Sequence, residues 1–351
     1  MKKFLDRIFI EGLSGMAQGL FATLIIGTII QQIGTFIGGN AGDLIYTLGK
    51  VAAGLTGAGI GVGVGRKLDA GHLVIVSAAV VGIVGAFAGD LLSGDILVDG
   101  NLVLSGPGEP LGAFVAAYIA IEIGILISGR TKLDIILTPL VCIGIGSAVG
   151  LLVGPPISGF MTWLGSLINW GTEQQPFLMG IVVSVLMGMI LTLPISSAAL
   201  GVILNLSGLA AGAATVGCCC NMIGFAVASW RENKFGGFLA QGIGTSMLQV
   251  PNIVRHPQIW LPAILSSAIL GPLGTMVFHM TNNATGSGMG TAGLVGPLMT
   301  WQVMTQTEPG TIVLLKIILI QFVLPAVVTL LISEFMRKKR WIHPGDMKLE
   351  L

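Results

Sequence analysis

Charged side chains are scarce along this chain, and that scarcity limits its possible folds more than any other feature. Only 9% of the 351 residues are Asp, Glu, Lys or Arg, whereas 53% are hydrophobic. Apolar stretches of this length can cross a bilayer, and inside lipid the backbone must satisfy its own hydrogen bonds. We therefore predict an all-α fold, a polytopic membrane helical bundle of about ten spans.

The composition also excludes several classes of protein. A net charge of +1 provides no basic surface for nucleic acid. The 53 glycines lie inside apolar runs without a three-residue period, so they indicate helix packing or broken helices rather than collagen. Five of them alternate from Gly57 to Gly65, a pattern typical of helix packing or of a dimer face. Cys142 and the run at 218–220 are not spaced as metal ligands, so no metal and no cofactor is expected.

A crossing needs about 20 apolar residues, and this length divides most of the chain into spans. The predicted spans lie near residues 17–38, 44–64, 72–92, 110–128, 133–153, 176–193, 257–279 and 311–333. Residues 154–171, which contain Pro155 and Pro156, are predicted to form an interfacial helix. It would join a scaffold and dimerisation half with regular spans, 1–171, to a substrate-binding half with interrupted helices, 172–351.

Basic residues predict the orientation of the spans. Five basic clusters can all face the cytoplasm, as the positive-inside rule requires. They are Lys2, Lys3 and Arg7; Arg66 and Lys67; Arg130 and Lys132; Arg231 and Lys234; and Arg337 to Arg340. Residues 93–109 carry Asp95, Asp99 and Glu109 without a Lys or Arg, as expected of an outer loop. Both termini are therefore predicted to be cytoplasmic.

The same rule conflicts with a simple crossing at residues 194–230. Span 176–193 runs inward, yet Arg231 and Lys234 also belong inside, so the chain between them must either enter the membrane and return or cross it twice. We predict a re-entrant hairpin there, begun by a helix break at Pro194, and similar interruptions at 236–250 and 284–307. Broken backbone at membrane depth is tolerated only inside protein or around a water-filled cavity. A solute site is expected among these segments.

The candidate solute-binding residues are mostly uncharged polar side chains. Amides and hydroxyls bind neutral polar solutes, and glycines let the backbone approach a ligand closely. The candidates are Asn282, Asn283, Thr285, Ser287, Thr291, His279, Ser196, Ser197, Asn221, Gln241, Gln249 and Glu122. The alternatives are an exposed outer loop around Asn282 and helix-to-helix hydrogen bonds elsewhere. His279 and Glu122 either carry protons or form structural pairs.

Five segments of the second half carry a family resemblance: residues 179–199, 208–218, 231–233, 240–252 and 288–296. They include Leu193-Pro194-Ile195-Ser196-Ser197 and Gly288-Met289-Gly290-Thr291. These segments resemble the membrane component, IIC, of bacterial sugar phosphotransferase systems, in a compact branch with a stand-alone IIC subunit. The resemblance implies a homodimeric permease in the plasma membrane of a bacterium. Its second half would hold a small polar solute such as a sugar between two re-entrant hairpins.

The resemblance also implies separate IIB and IIA partner proteins, with a phosphorylated IIB passing phosphate to the bound sugar. Larger sugar permeases of this type place a Glu in a hairpin, whereas the only acid between Pro194 and Thr307 is Glu232. Two alternatives therefore stay open. One is a phosphotransfer-independent transporter or exporter of a non-sugar metabolite, proton-coupled through Glu122. The other is a membrane sensor whose tail, residues 337–351, binds a soluble partner.

Overall fold

The computed structural model describes residues 6–98, 101–104 and 106–349, so Lys2, Lys3 and Asp99 lie outside the described residues. The described part of the chain is 81% helical with almost no strand, which confirms the predicted all-α membrane bundle. It divides into two compact units, Met1–Met161 (unit 1) and Thr162–Leu351 (unit 2). The assignment of dimerisation to the first half and of substrate binding to the second stays a prediction.

Unit 1 consists of helices and one short strand pair. Its elements are α1 (Arg7–Ile37), α2 (Gly39–Gly54), α3 (Thr56–Lys67), α4 (His72–Ala86), α5 (Ala88–Ser93), β1 (Leu97–Val98), β2 (Asn101–Leu102), α6 (Pro110–Ile127) and the first part of α7 (Asp134–Thr172). The two strands pair antiparallel. Within α1, residues Arg7–Gly12 and Phe21–Ile25 are π-helical turns.

The alternating glycines of α3 pack against two neighbouring helices at once. Gly57 and Gly61 meet the backbone of α4, whereas Gly59 and Gly63 meet the backbone of α1. Residues four apart lie on one face of a helix, and residues two apart lie on different faces, so the alternation gives α3 two contact surfaces. These glycines therefore serve packing inside the chain, because a Cβ at any of them would overlap a neighbouring backbone or side chain.

In the first half, one predicted span is bent and one predicted helix was wrong. The predicted span 44–64 is a pair of helices, α2 and α3, with a bend of 52° between their axes. Beside that bend Thr56 Oγ1 donates to the carbonyl of Ala53 at 2.6 Å, a side-chain bond of the kind that bends helices. The predicted interfacial helix 154–171 does not exist as a separate element. Residues 134–172 form the single helix α7, with Pro155 and Pro156 inside it, as membrane helices tolerate.

Unit 2 contains long helices interrupted by short ones. Its helices are α8 (Pro176–Thr192), α9 (Ser197–Ile203), α10 (Gly208–Ala228), α11 (Trp230–Leu239), α12 (Val250–Arg255), α13 (Leu261–Met276), α14 (Ala284–Ser287), α15 (Val295–Met304) and α16 (Gly310–Lys338). A π-helical turn, Ala240–Gly244, and a 3₁₀ turn, Ser246–Gln249, lie between α11 and α12. Two further 3₁₀ turns, Pro257–Trp260 and Ala292–Leu294, precede α13 and α15.

Helix α10 is the centre of unit 2. It packs against α8, α13 and α16, and 89% of its most apolar 18-residue stretch is buried. Its sequence is rich in Gly, Ala and Cys, which lets neighbouring backbones come close. Gly217 lies against the backbone of Ser184, and Gly212 lies against that of Met280. All the polar side chains of α10 are consequently enclosed by protein.

Six helices among the described residues are long and apolar enough to cross a membrane, or seven if α2 and α3 form one bent span. Helices α4 and α8 are apolar but shorter. The number is below ten because the predicted span 44–64 is a bent pair and the predicted spans 72–92 and 176–193 are the shorter helices α4 and α8. The chain is a multi-pass membrane protein.

Candidate functional site

The first predicted hairpin begins at a helix break before α9. Helix α8 ends at Thr192, and Leu193 has extended backbone angles just before Pro194. Proline disfavours helical angles in the residue before it and removes a backbone donor, which explains the break. The chain then forms α9 and turns back into α10 through Asn205 and Gly208, both at positive φ. A short helix, a tight turn and a long buried helix thus replace a simple crossing.

A second interrupted segment follows α13. His279 lies at φ 47°, a backbone conformation that a non-glycine residue adopts rarely. The chain passes through the four-residue helix α14 and through Gly290 and Gly293, both at positive φ, before it enters α15. Glycine suits these two positions because its missing Cβ removes the steric cost of positive φ.

The two interrupted segments contact each other directly. Ser197 Oγ donates to the carbonyl of Gly288 at 2.6 Å, and the backbone N–H of Asn282 donates to the carbonyl of Gly208 at 3.2 Å. A Cβ on Gly288 would overlap the backbone of Ser197, so the approach needs a glycine. Polar backbone exposed by one break is therefore bonded by the other segment, as lipid-buried backbone requires.

Asn282 forms the centre of the buried polar contacts in the second segment. Its side chain is 1% exposed, and its Nδ2 lies 2.8 Å from Thr215 Oγ1, 3.0 Å from Thr300 Oγ1 and 3.2 Å from the carbonyl of Gly296. Its Oδ1 accepts the backbone N–H of Asn283 at 2.8 Å. The amide donors and acceptor of Asn282 are therefore already bonded within the protein.

Asn221 has a comparable position on α10. Its Oδ1 accepts Trp260 Nε1 at 2.9 Å and Thr192 Oγ1 at 3.1 Å, while its Nδ2 donates to the carbonyl of Gly217 at 3.1 Å. Thr192 Oγ1 also lies 2.8 Å from Ser246 Oγ. This group joins the end of α8 to α10 and to the broken segment around residue 246.

Three amides on the third broken segment form a chain of hydrogen bonds, which we call the amide ladder: Gln241, Gln249 and Asn252. Gln249 Nε2 donates to Gln241 Oε1 at 2.8 Å, and Asn252 Nδ2 donates to Gln249 Oε1 at 2.8 Å. Gln241 Nε2 is bonded to Ser229 Oγ and to the carbonyl of Gly237, both at 2.9 Å. Gln241 and Gln249 thus bond each other, eight residues apart.

The C-terminal tail, residues 341–349, completes this ladder. The carbonyl of Met347 accepts Gln249 Nε2 at 3.0 Å and Asn233 Nδ2 at 2.8 Å, and the carbonyl of Lys348 accepts Asn252 Nδ2 at 2.9 Å. Met347 is fully buried, in an apolar cluster with residues of α10, α12 and α16. The tail is therefore part of the fold of unit 2.

The remaining candidates of the second half differ in exposure. Ser287 and Thr291 are fully buried, and Thr291 Oγ1 donates to the carbonyl of Gly242 at 2.5 Å. Asn283 is half-buried and caps α14, because its Oδ1 accepts the N–H of Gly286 at 2.9 Å. Thr285 and His279 are exposed. Ser196 is buried beside Ser197.

Glu122 belongs to unit 1. Arg7 Nε donates to Glu122 Oε1 at 2.6 Å, and the two side chains are 35% and 31% exposed. This contact corresponds to the structural pairing that was one of the two interpretations of Glu122. The structure brings Glu122 together with Arg7. Within unit 2, hydrogen bonds join Gln241 to Gln249 and Asn282 to Asn283, and the other candidates are bonded to residues outside the predicted set or are exposed.

Sequence reasoning missed several polar residues that hold the site together. They are Thr192, Thr215, Trp260, Thr300 and Gln321. Each is a polar or amphipathic side chain within an apolar run, which is itself a signal for a buried hydrogen bond in a membrane helix. Among the described residues, no group of three or more His, Cys, Asp or Glu is placed to hold a metal ion.

The chain was compared with protein families and with curated proteins. A family model described as "Phosphotransferase system, EIIC" matches residues 10–349, which includes both broken segments and the C-terminal tail. The search of curated proteins found no match to this chain.

Proposed function

Because the chain belongs to the phosphotransferase system EIIC family, we propose that unit 2 binds a small polar solute at the two interrupted segments that meet at Ser197 and Gly288. A permease-type transporter of the phosphotransferase system is what membership of this family indicates. Such components typically work with separate IIA and IIB proteins and carry sugars. We extend this to a sugar as the solute and to a homodimer in a bacterial plasma membrane, with both termini cytoplasmic.

The observation that carries the proposal is the contact between the two broken segments. Backbone groups at such breaks are costly in lipid unless protein, water or a ligand satisfies them. Transporters use broken helices in this way, because the freed backbone groups recognise the substrate near the middle of the membrane. The contacts from Ser197 to Gly288 and from Asn282 to Gly208 support a site of that kind.

Hydrogen bonding suggests two roles among the candidates. Asn282, Asn221, Gln241 and Gln249 have their amides bonded within the protein and are proposed to position the segments. The same role is proposed for three buried hydroxyl residues that bond to backbone carbonyls, namely Ser197, Ser287 and Thr291.

The residues proposed to contact the solute are those with polar atoms that remain available. Thr285 is exposed, and Asn283 Nδ2 has only the thioether of Met299, a weak acceptor, at 3.6 Å. His279 is exposed in the same loop. Ser196, buried beside Ser197, already has a partner within the protein and is proposed to position the segment rather than to contact the solute.

A ligand screen tests the proposal. Purified protein would be unfolded by heat in the presence of neutral sugars, polyols or carboxylates, since a ligand at 100 times its Kd adds about 2.7 kcal/mol of stability. We expect stabilisation by neutral sugars or polyols, reduced by Thr285→Ala but unchanged by Thr47→Ala, a matched exposed threonine in unit 1. Stabilisation by carboxylates alone would contradict the sugar assignment. A protein that binds none of these solutes and transports none would instead favour the sensor interpretation.

One observation favours a second candidate, transport without phosphotransfer. Glu232 is the only acid between residues 194 and 307, and its side chain is 8% exposed in an ion pair with Arg337. No carboxylate of the two interrupted segments is then available to accept a proton from a sugar hydroxyl. Uptake by vesicles that contain no IIB protein would select this candidate, whereas uptake that requires phosphorylated IIB would reject it.

A further inference from the structure

Two neighbouring cavities in unit 2 share Arg231 and Glu334. The larger, about 580 Å³, is also lined by Arg337, Lys338, Phe335 and Ile342. The smaller, about 430 Å³, is also lined by Trp230, Phe238 and Leu330. The pair therefore forms one groove with a basic part and an aromatic part, beside the C-terminal end of the membrane helix α16. Neither the proposed solute site nor the amide ladder uses this groove.

The basic part of the groove carries a net positive charge. Arg231 pairs with Glu334 at 2.9 Å and yet remains 66% exposed, so much of its guanidinium still faces outward. Arg337 is neutralised by the buried Glu232. Lys338 is exposed and makes no ion pair within the described part of the chain. Three cations thus face two carboxylates, and the basic run continues into Lys339 and Arg340.

The aromatic residues in and around the groove have the features of a membrane interface. Trp230 and Phe238 pack edge to face with ring centroids 5.7 Å apart, and Phe335 packs in the same manner against Trp341 at 6.5 Å. Phe335 and Leu331 remain exposed. Aromatic rings concentrate at the level of lipid headgroups, and basic pockets at that level attract anionic lipids. A solvated surface alone would need neither the cavity nor the aromatic rings.

We propose that this groove binds the headgroup of an anionic phospholipid. Arg231 and Lys338 would hold the phosphate, and the acyl chains would lie along the exposed apolar surface of α16 near Leu331 and Phe335. Free phosphate offers the same charge but has no chains to cover that surface. Glu334 opposes the anion, so it limits the affinity. The proposal rests on the groove and does not depend on which solute the protein transports.

Lipid binding to the purified full-length chain tests the proposal. Native mass spectrometry and thermal unfolding would compare phosphatidylglycerol, phosphatidylcholine and inorganic phosphate. We expect phosphatidylglycerol to bind and to raise the unfolding temperature, and the other two to do neither. Equal binding of phosphatidylcholine would overturn the proposal. So would an inorganic phosphate effect as large as that of the lipid, because the site would then recognise free phosphate.

Matched variants locate the site. A basic residue that contacts an anionic headgroup contributes about five-fold in affinity, so Arg231→Gln and Lys338→Gln should each weaken phosphatidylglycerol binding about five-fold. Arg130→Gln and Lys132→Gln remove exposed cations of unit 1 and should leave the affinity for phosphatidylglycerol unchanged. Glu334→Gln should strengthen binding, which a misfolded variant would not do. An equal loss in the unit 1 variants, or weaker binding by Glu334→Gln, would contradict the assignment.

Discussion

Replacement of Asn282 by alanine should destabilise unit 2 before it affects recognition of any solute. The Asn282 side chain bonds two threonine hydroxyls, one backbone carbonyl and one backbone N–H. Both hydroxyls keep other partners, because Thr215 also donates to the carbonyl of Ala211 and Thr300 also accepts from Gln321. The carbonyl of Gly296 and the N–H of Asn283 each lose the Asn282 side-chain partner.

The size of this effect follows from those two backbone groups. Loss of its partner costs the N–H of Asn283 about 1 to 3 kcal/mol, whereas the carbonyl of Gly296 keeps its helical partner within α15 and loses one bond worth about 0.5 to 1.5 kcal/mol. Hydrogen bonds in membrane proteins average only about 0.6 kcal/mol, because the unfolded chain in lipid finds other partners. We therefore expect a loss near the lower end, about 2 kcal/mol, in the free energy of unfolding.

Asn283→Ala is the matched control for Asn282→Ala. For stability, the contribution of the neighbouring asparagine is the cap on the short helix α14, and loss of such a cap costs about 1 kcal/mol. The unfolding temperature would be measured in detergent by tryptophan fluorescence. It should be lower for Asn282→Ala than for Asn283→Ala, and lower for both than for the parent. The expression level of Asn282→Ala should also fall. An Asn282→Ala protein that unfolds at the parent temperature but loses solute uptake would refute this reasoning and make Asn282 a direct ligand.

Three further changes test the packing and the backbone. Gly61→Ala should lower the free energy of unfolding by about 1 to 3 kcal/mol, because the added methyl overpacks against α4. Gly144→Ala places its methyl in open space and should raise the free energy of unfolding by up to about 1 kcal/mol through helix propensity. Thermal unfolding measures both changes. His279→Asn should keep its stability at φ 47°, while His279→Val should lose about 1 to 2 kcal/mol in the same assay. Gln249→Leu should loosen the C-terminal tail, which keeps its bonds to Asn233 and Asn252, and limited proteolysis would detect this as faster cleavage within 341–349.

The helical class and the positions of the main breaks were predictable because both depend on local features. Apolar runs require helices in lipid, and Pro194 with the basic pair Arg231 and Lys234 required a return of the chain in between. The helix ending at Thr192 and the short helix α9 have that origin. The bend between α2 and α3 was less predictable, because it falls inside a continuous apolar run and is accompanied only by a side-chain bond of Thr56.

The partners of the site residues could not be predicted from local patterns. Asn282 bonds Thr215, 67 positions away, and only the packing of α10 against the broken segment brings them together. The C-terminal tail is a stronger example. The composition of the tail, with Pro344, Gly345 and nearby charged residues, suggests a free segment. Its backbone carbonyls nevertheless bond buried side-chain amides in residues 241–252, and any backbone carbonyl could do so. Nothing in the tail's own composition indicates this contact.

The glycine contacts of α3 determine where unit 1 can deform. Gly59 and Gly63 lie directly against α1, and Gly57 and Gly61 lie directly against α4. If α3 shifted by one residue, larger side chains would replace these glycines and would clash with the backbones of both α1 and α4. Such an interlock has one register and resists shear. Flexing during a transport cycle should therefore concentrate at backbone joints without this interlock, such as the extended residues Leu193 and Thr245 in unit 2.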